Sequence, residues 1–298
     1  MVCWTKKKLM DFSIKWLLVL CAIYLMFRWF EHHQVYQPFA ELQANGDALG
    51  RPWKEAYFKT KDGVELHGWF FPANTNSARG HLTVLLCHGN AGNLSHRLDQ
   101  YEVLLEAGVN VFAFDYRGYG HSVGRPSEEG TYLDAEAAHA WLCQKGFAPT
   151  NIVALGDSLG GGVVVELARR VALGGLILQS TFTSIPDIGA ELFPFLPVRW
   201  LCTIRYDSLS KLPALKIPAL VMHSRADTMI RFHHGEKLFA AANEPKMLWE
   251  LAGDHNDTIE TGRASYLEGL IQFLAKPWFQ ASNSAGPQAS RTENLPRP

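Results

Sequence analysis

The segment GDSLGGG, Gly156 to Gly162, follows the apolar stretch NIVAL and precedes VVVELARR. Two chemistries compete for such a glycine-rich turn: a serine nucleophile on a tight bend between strand and helix, or a backbone cradle for phosphate. The phosphate loop requires GxxxxGK[ST], and the dinucleotide fingerprint requires GxGxxG. No lysine follows these glycines, and Gly156, Gly160, Gly161 and Gly162 do not have the second spacing. G-D-S-L-G, by contrast, is a full match to G-x-S-x-G and sits directly between an apolar strand and a helix, the context that exposes a nucleophilic hydroxyl. Such a bend is expected to strain the backbone of Ser158, with glycines two residues away on each side leaving room for neighbouring chain. The helix that begins beyond it aims free N–H groups and its dipole at charge developing on a substrate.

A serine hydroxyl is a weak nucleophile until a base takes its proton and a third group orients that base. When these groups lie on loops at the ends of successive strands, the expected chain order is serine, acid, histidine. Asp227 lies in HSRADTMI after the strand-like ALVMHS, and His255 lies in AGDHND after KMLWEL, so both satisfy that order. Asp254 and Asp257 flank His255 and are expected to cap or solvate the loop rather than orient the ring. His88, in CHGN, is expected to support its own loop. The pairs His32–His33 and His233–His234 are adjacent rather than spaced i, i+4, and read as surface residues rather than metal ligands. The oxyanion would be met by the backbone N–H of Leu159 and by one from HGNAGN, assigned to Asn90 with Ala91 as its near competitor.

These residues need strand ends to hold them. YFKTKDGVELHGWFF alternates apolar and polar residues around Asp62-Gly63, which predicts an antiparallel hairpin. Apolar strands and amphipathic helices then alternate: LTVLLC (Leu82 to Cys87), a helix near Arg97 to Ala107, VNVFAF (Val109 to Phe114), and a helix near Asp134 to Gln144. NIVALG leads into a helix over Leu159 to Val171, followed by GLILQS and, after a long interruption, ALVMHS (Ala219 to Ser224). Continuous apolar strands separated by helices predict a mostly parallel sheet covered on both faces, a doubly wound α/β fold within one main domain, residues 53–278. The interruption, about 181–218, is too long for an ordinary connection and too apolar for a solvated loop. A small lid over the active face is expected there.

At the N-terminus, Trp16 to Phe27 is uninterrupted apolar sequence and Phe12 to Phe30 reaches spanning length, with Lys6, Lys7 and Lys8 just before it. Position, aromatic flanks and the lysines predict an uncleaved membrane anchor over residues 1–30, oriented with its N-terminus in the cytoplasm and the catalytic domain on the other side. Residues 31–52 read as a polar connector, and residues 279–298 as a disordered tail. A formal net charge of -1, from 28 basic and 29 acidic residues, gives no footprint for nucleic acid. The five cysteines, Cys3, Cys21, Cys87, Cys143 and Cys202, have neither zinc-ligand nor disulfide-framework spacing and read as buried thiols.

Together, CHGNAGN, FDYRGYGHSVGRPSEEG, GDSLGGG, STFTSI, RADTMIRFHHGEKLF and AGDHND resemble the α/β-hydrolase superfamily, and within it the membrane-anchored serine hydrolases with a small lid. The likeness covers most of Lys54 to Ala275. It implies an α/β-hydrolase fold with Ser158 as nucleophile, Asp227 as acid, His255 as base, and amides near Asn90 and at Leu159 as oxyanion donors. It further implies no metal and no organic cofactor, and that DYRGYG (Asp115 to Gly120) is scaffold. The sequence departs from the family pattern at HSRAD, where His-Gly is common before the acid loop, and at Met229-Ile230-Arg231, where a proline is common. Relatives include depalmitoylases, esterases and peptidase-like members. The leading expectation is hydrolysis of a carboxylic ester or thioester, with an acyl-chain, lipid-like substrate favoured by the apolar lid and the adjacent membrane. An amidase of the same mechanism and a membrane-tethered binding protein without the reaction are the alternatives.

Overall fold

The structure is a computed structural model in which residues 6–279 are described, with side-chain surroundings from Phe12 onward. A long helix, α1 (Lys6–Val35), leads into the hairpin β1 (Lys54–Lys59) and β2 (Glu65–Phe71). The alternation then runs β3 (Thr83–Cys87), α2 (Leu98–Glu106), β4 (Asn110–Phe114), α3 (Glu128–Gln144), β5 (Ile152–Asp157) and α4 (Leu159–Arg170). It continues with β6 (Gly175–Gln179), α5 (Ile185–Leu192), α6 (Val198–Leu201), α7 (Ser208–Lys211), β7 (Ala219–Ser224), α8 (His233–Ala241), β8 (Lys246–Leu251) and α9 (Thr258–Leu274).

Eight strands form one sheet in the order β8-β7-β6-β5-β3-β4-β2-β1. The strands from β3 onward pair in parallel, whereas β2 runs antiparallel to both β1 and β4. Strands β3 to β7 are buried along their length, save for half-buried Asp157 at the end of β5, which explains their unbroken apolar runs: helices cover both faces. One core packs α3, α4 and α8 on one side, and the other packs α2 and α9 on the opposite side. This is the α/β-hydrolase fold. The order reverses between β4 and β5, on either side of β3, so the loops after β3 and β5 meet at the carboxyl edge of the sheet, where such folds bind ligands.

Four boundaries differ from the sequence expectation. Helix α3 begins at Glu128 rather than near Asp134, because Ser127 caps it by accepting the Gly130 N–H at 3.1 Å, and Glu128 and Glu129 favour the positive end of its dipole. Helix α1 continues past Phe30 to Val35, with Glu31 and Val35 buried in the domain. Residues 31–52 are not a free connector. Glu31 accepts the Thr203 and Ile204 amides at 2.7 and 2.9 Å, Tyr36 is buried, and the Asn93 side chain donates to the carbonyls of Phe39 and Glu41. The expected lid divides in two. Ile185 to Leu201 forms an exposed flap, while Cys202 to Pro218 packs into the domain, with Tyr206 fully buried and its hydroxyl bonded to Tyr36 and Thr131 at 3.0 and 2.8 Å. Cys87 and Cys202 are buried as expected. Cys21 is exposed on the apolar flank of α1, Cys143 is half-buried, and Cys3 and the expected tail from residue 280 lie outside the described residues.

Candidate active site

Ser158 stands between the last residue of β5 and the first of α4 with φ 51° and ψ -112°, a left-handed conformation that costs a non-glycine residue energy. Surrounding contacts impose it. The Ser158 N–H donates to the Gln179 carbonyl at 3.0 Å, and its own carbonyl accepts from the Thr181 hydroxyl at 2.6 Å and the Gly161 N–H at 3.0 Å. Glycine is required on both sides. A Cβ on Gly156 would lie 2.3 Å from the Gly160 carbonyl oxygen, and one on Gly160 would lie 1.9 Å from that of Cys87. The turn is therefore wedged against the end of β3.

His255, on the loop after β8, directs Nε2 to the Ser158 hydroxyl at 3.2 Å and Nδ1 to Asp227 Oδ2 at 2.8 Å. Asp227, on the loop after β7, is buried and accepts the Met229 and Ile230 amides on Oδ1 at 3.0 and 2.7 Å. Burial alone would raise its pKa, but hydrogen bonds from His223 and His255 and the Ile230 amide outweigh that and hold the carboxyl far below the usual range. For His255, burial disfavours the imidazolium, yet the hydrogen bond and charge of Asp227, with smaller contributions from Asp157 and Asp254, leave the pKa above the ordinary value. The three groups expected from the sequence are thus brought together in a chain of hydrogen bonds.

The flanking carboxylates do something else. Asp254 accepts from Thr228 N and Oγ1 and from the His255 N–H, and Asp257 accepts the Asp254 N–H, so both shape the loop. His88 is buried and donates from Nδ1 to the Gly89 carbonyl at 2.7 Å. The Asn90 carbonyl accepts from Gln37 N–H at 3.0 Å and the Tyr119 hydroxyl at 2.8 Å. Each carbonyl is anti to the next residue's amide across a planar peptide, so these bonds fix the orientations of the Asn90 and Ala91 N–H groups. Leu159 N–H begins α4, where helix amides lack intrahelical partners. DYRGYG serves this loop directly: Tyr116 donates to the His88 carbonyl, Tyr119 to that of Asn90, and Asp115 accepts the Leu94 N–H.

Two supports were not singled out in the sequence. His223 Nε2 donates to the Ile230 carbonyl at 2.7 Å and lies 3.5 Å from Asp227 Oδ2; its place in the strand ALVMHS, four residues before Asp227, was the available signal. Gln37 carried none, since it acts through its backbone N–H. His234 departs from its expected place at the surface and is buried. Its Nδ1 accepts the Thr183 N–H at 3.2 Å, so the neutral ring carries its proton on Nε2, 3.3 Å from Glu191. Burial pushes its pKa down to about 4, and it joins His233, 2.9 Å from the same carboxylate, in tying α5 to α8. His32 donates to the Pro126 carbonyl at 3.0 Å, while His33 is exposed.

Two cavities meet at Ser158. A polar chamber of about 550 Å³ extends past Gln37, His96, Arg97, Asp99 and Asn256. An apolar slot of about 140 Å³ runs under the flap between Val35, Phe182, Ile188, Leu192, Phe193 and Ile230.

A family model described as the alpha/beta hydrolase fold matches residues 83–284. The chain belongs to the alpha/beta hydrolase family. It is 36% identical over 255 residues to an uncharacterised Mycobacterium tuberculosis protein, covering 85% of this chain and 90% of that one. It is 33% identical to the alpha/beta hydrolase domain-containing protein WAV2 of Arabidopsis thaliana, covering 75% and 79% of the two chains. Among solved structures, the Pyrococcus furiosus esterase Pf2001 superposes with a TM-score of 0.66 at 23% identity over 80% of this chain and 98% of that one, a likeness of fold.

Proposed function

We propose that this member of the family is a serine hydrolase that cleaves an ester or thioester through an acyl-enzyme at Ser158. The observation that carries the reading is the continuous hydrogen-bond chain from Asp227 through His255 to the Ser158 hydroxyl, 2.8 and 3.2 Å long, at the end of a strained turn. His255 Nε2 takes the hydroxyl proton as Ser158 Oγ attacks the carbonyl carbon, and Asp227 holds the tautomer and stabilises the imidazolium. The carbonyl oxygen becomes an oxyanion, met by the amides of Leu159 and Asn90. Collapse expels the alkoxide or thiolate, which receives the proton from His255. Water activated by the same imidazole then releases the acid and restores Ser158.

The divided cavity favours one substrate orientation. An apolar acyl group fits the slot, where each buried methylene contributes about 0.8 kcal/mol, and the leaving group faces the polar chamber. Helix α1 has an apolar stretch, Phe12–Val35, with the length and hydropathy of a membrane span, and none of its 18-residue apolar window is buried against the rest of the protein. We read it as a retained anchor. A tethered protein that binds without reacting would not need the imidazole aimed at the serine. A fluorophosphonate probe tests this: it should label the folded wild-type chain and leave Ser158→Ala unlabelled. Labelling that survives in Ser158→Ala, or never occurs in the wild type, overturns the assignment.

A further inference from the structure

We propose that the tip of the flap, Phe195, Leu196, Trp200 and Leu201, is a membrane-docking surface that seats in the same lipid leaflet from which α1 emerges. The proposal rests on the reading of α1 as a bilayer span. Phe195 is 97% exposed and Trp200 91% exposed, with Leu196 and Leu201 at 45% and 41%. Clustered large apolar side chains of this kind mark a surface that is covered in use.

The occupant follows from what lies beside the patch. Phe193 packs its ring on Phe30 of α1 at 5.5 Å, so the chain entering the tip is fixed to the helix at that residue. The chain leaving the tip is fixed one residue on, where buried Glu31 takes the amides of Thr203 and Ile204, the Thr203 hydroxyl and the Cys202 thiol. The chain on both sides of the tip is therefore attached to the same turn of α1. From Phe12 to Trp29 the helix spans about 27 Å at 1.5 Å per residue, close to the ~30 Å hydrocarbon core. Phe30 then stands at the lipid–water boundary, and the patch beside it stands at the same height. Trp29, 61% exposed, and Trp200 would share the interfacial belt that tryptophan prefers. The apolar slot opens between these elements, bounded by Val35 from α1 and by Leu192 and Phe193 from the flap. An acyl chain could thus pass from the leaflet to Ser158 along apolar surface.

The test uses the full-length chain in phosphatidylcholine vesicles with brominated or unbrominated acyl chains, comparing wild type, Trp16→Phe and Trp200→Phe. Trp16 reports the span and Trp200 the flap. Docking predicts that removing either tryptophan lowers the fraction of emission quenched by bromolipid, and that Trp200 is shielded from aqueous iodide. If Trp16 is quenched by bromolipid but Trp200 answers only to iodide, the flap faces water and the proposal fails while the anchor stands. If neither is quenched by bromolipid, the anchor reading fails and the proposal with it. If Trp200 answers to neither quencher, protein covers the patch and the bilayer is the wrong occupant. A turnover measurement adds the functional side: Phe195→Ser/Trp200→Ser should lose about tenfold in rate on a long-chain ester dissolved in the vesicles, yet stay within about twofold of wild type on a water-soluble short-chain ester. Equal losses on both substrates would overturn the docking role. The fluorescence measurement reads without turnover, so failure of the hydrolase reading would not be mistaken for failure of docking.

Discussion

The turn at Ser158 and the flap from Ile185 to Leu201 lie on either side of one slot and are built on opposite terms. Around Ser158 the backbone is pinned through its N–H and carbonyl, and glycines admit neighbours so close that a Cβ would overlap them. The groups beside it are held as tightly, Asp227 by two backbone amides and His255 by Asp227. The flap has few such constraints at its tip, where Phe195 and Trp200 touch little protein. The difference separates two tasks. Proton transfer demands fixed donors and acceptors, whereas handling an apolar chain demands surface and carries little directional requirement.

Breaking the fixed side should have the largest effect. Asp227→Asn is expected to lower kcat by about 10⁴-fold, because the amide favours the wrong imidazole tautomer. Asp254→Asn, which disturbs only the loop, should cost no more than about tenfold on the same comparison. Steady-state kinetics on a soluble ester would check both, and a larger loss at Asp254 would show that the wrong acid was named. A pH profile sharpens the same point. The imidazolium cannot accept the Ser158 proton, so kcat/KM should fall about tenfold per unit below the His255 pKa, with a midpoint above the ordinary value of about 6.5. Removing the Asp227 charge should move that midpoint down. A wild-type midpoint at or below 6.5 would contradict the coupling.

The smallest effects concern stability. Glu31→Ala leaves the Thr203 and Ile204 amides without their acceptor, at about 1–3 kcal/mol, and should lower Tm by several degrees in detergent. Trp200→Ser should change Tm by about a degree or less, since a surface substitution costs about ±0.5 kcal/mol. Comparable losses from the two variants would mean that the flap tip is as firmly packed as its base.

The parts of the molecule legible in the sequence were those where side-chain type and backbone geometry coincide. Buried strands declare themselves by unbroken apolar runs, and G-D-S-L-G names the bend, the proposed nucleophile and the close approaches together. Asp227 and His255 could be found because each follows a strand. Contacts made to backbone leave no such trace. The polar residues after Glu31 read as solvated because nothing in their types shows that Asn93 will bind the carbonyls of Phe39 and Glu41. His234 read as exposed because its partner, the Thr183 amide, lies 51 residues away. The start of α3 was missed although Ser127 with Glu128 and Glu129 is a readable helix beginning, since Gly130 obscured the periodicity.

The packing of residues 31–43 bears on where the protein can work. A solvated linker would let the domain swing and sample the bulk solution around its anchor. Here the chain leaves α1 already bound: Glu31 to the flap's base, Tyr36 to Tyr206, Gln37 to the Asn90 carbonyl, Gln43 to Ser95. With α1 in a bilayer, the tether has almost no slack, and the mouth of the slot stays at one height above one leaflet. Encounters become a two-dimensional search among molecules of the same membrane, and an ester on a facing membrane or deep in solution is out of range however well its acyl chain would fit.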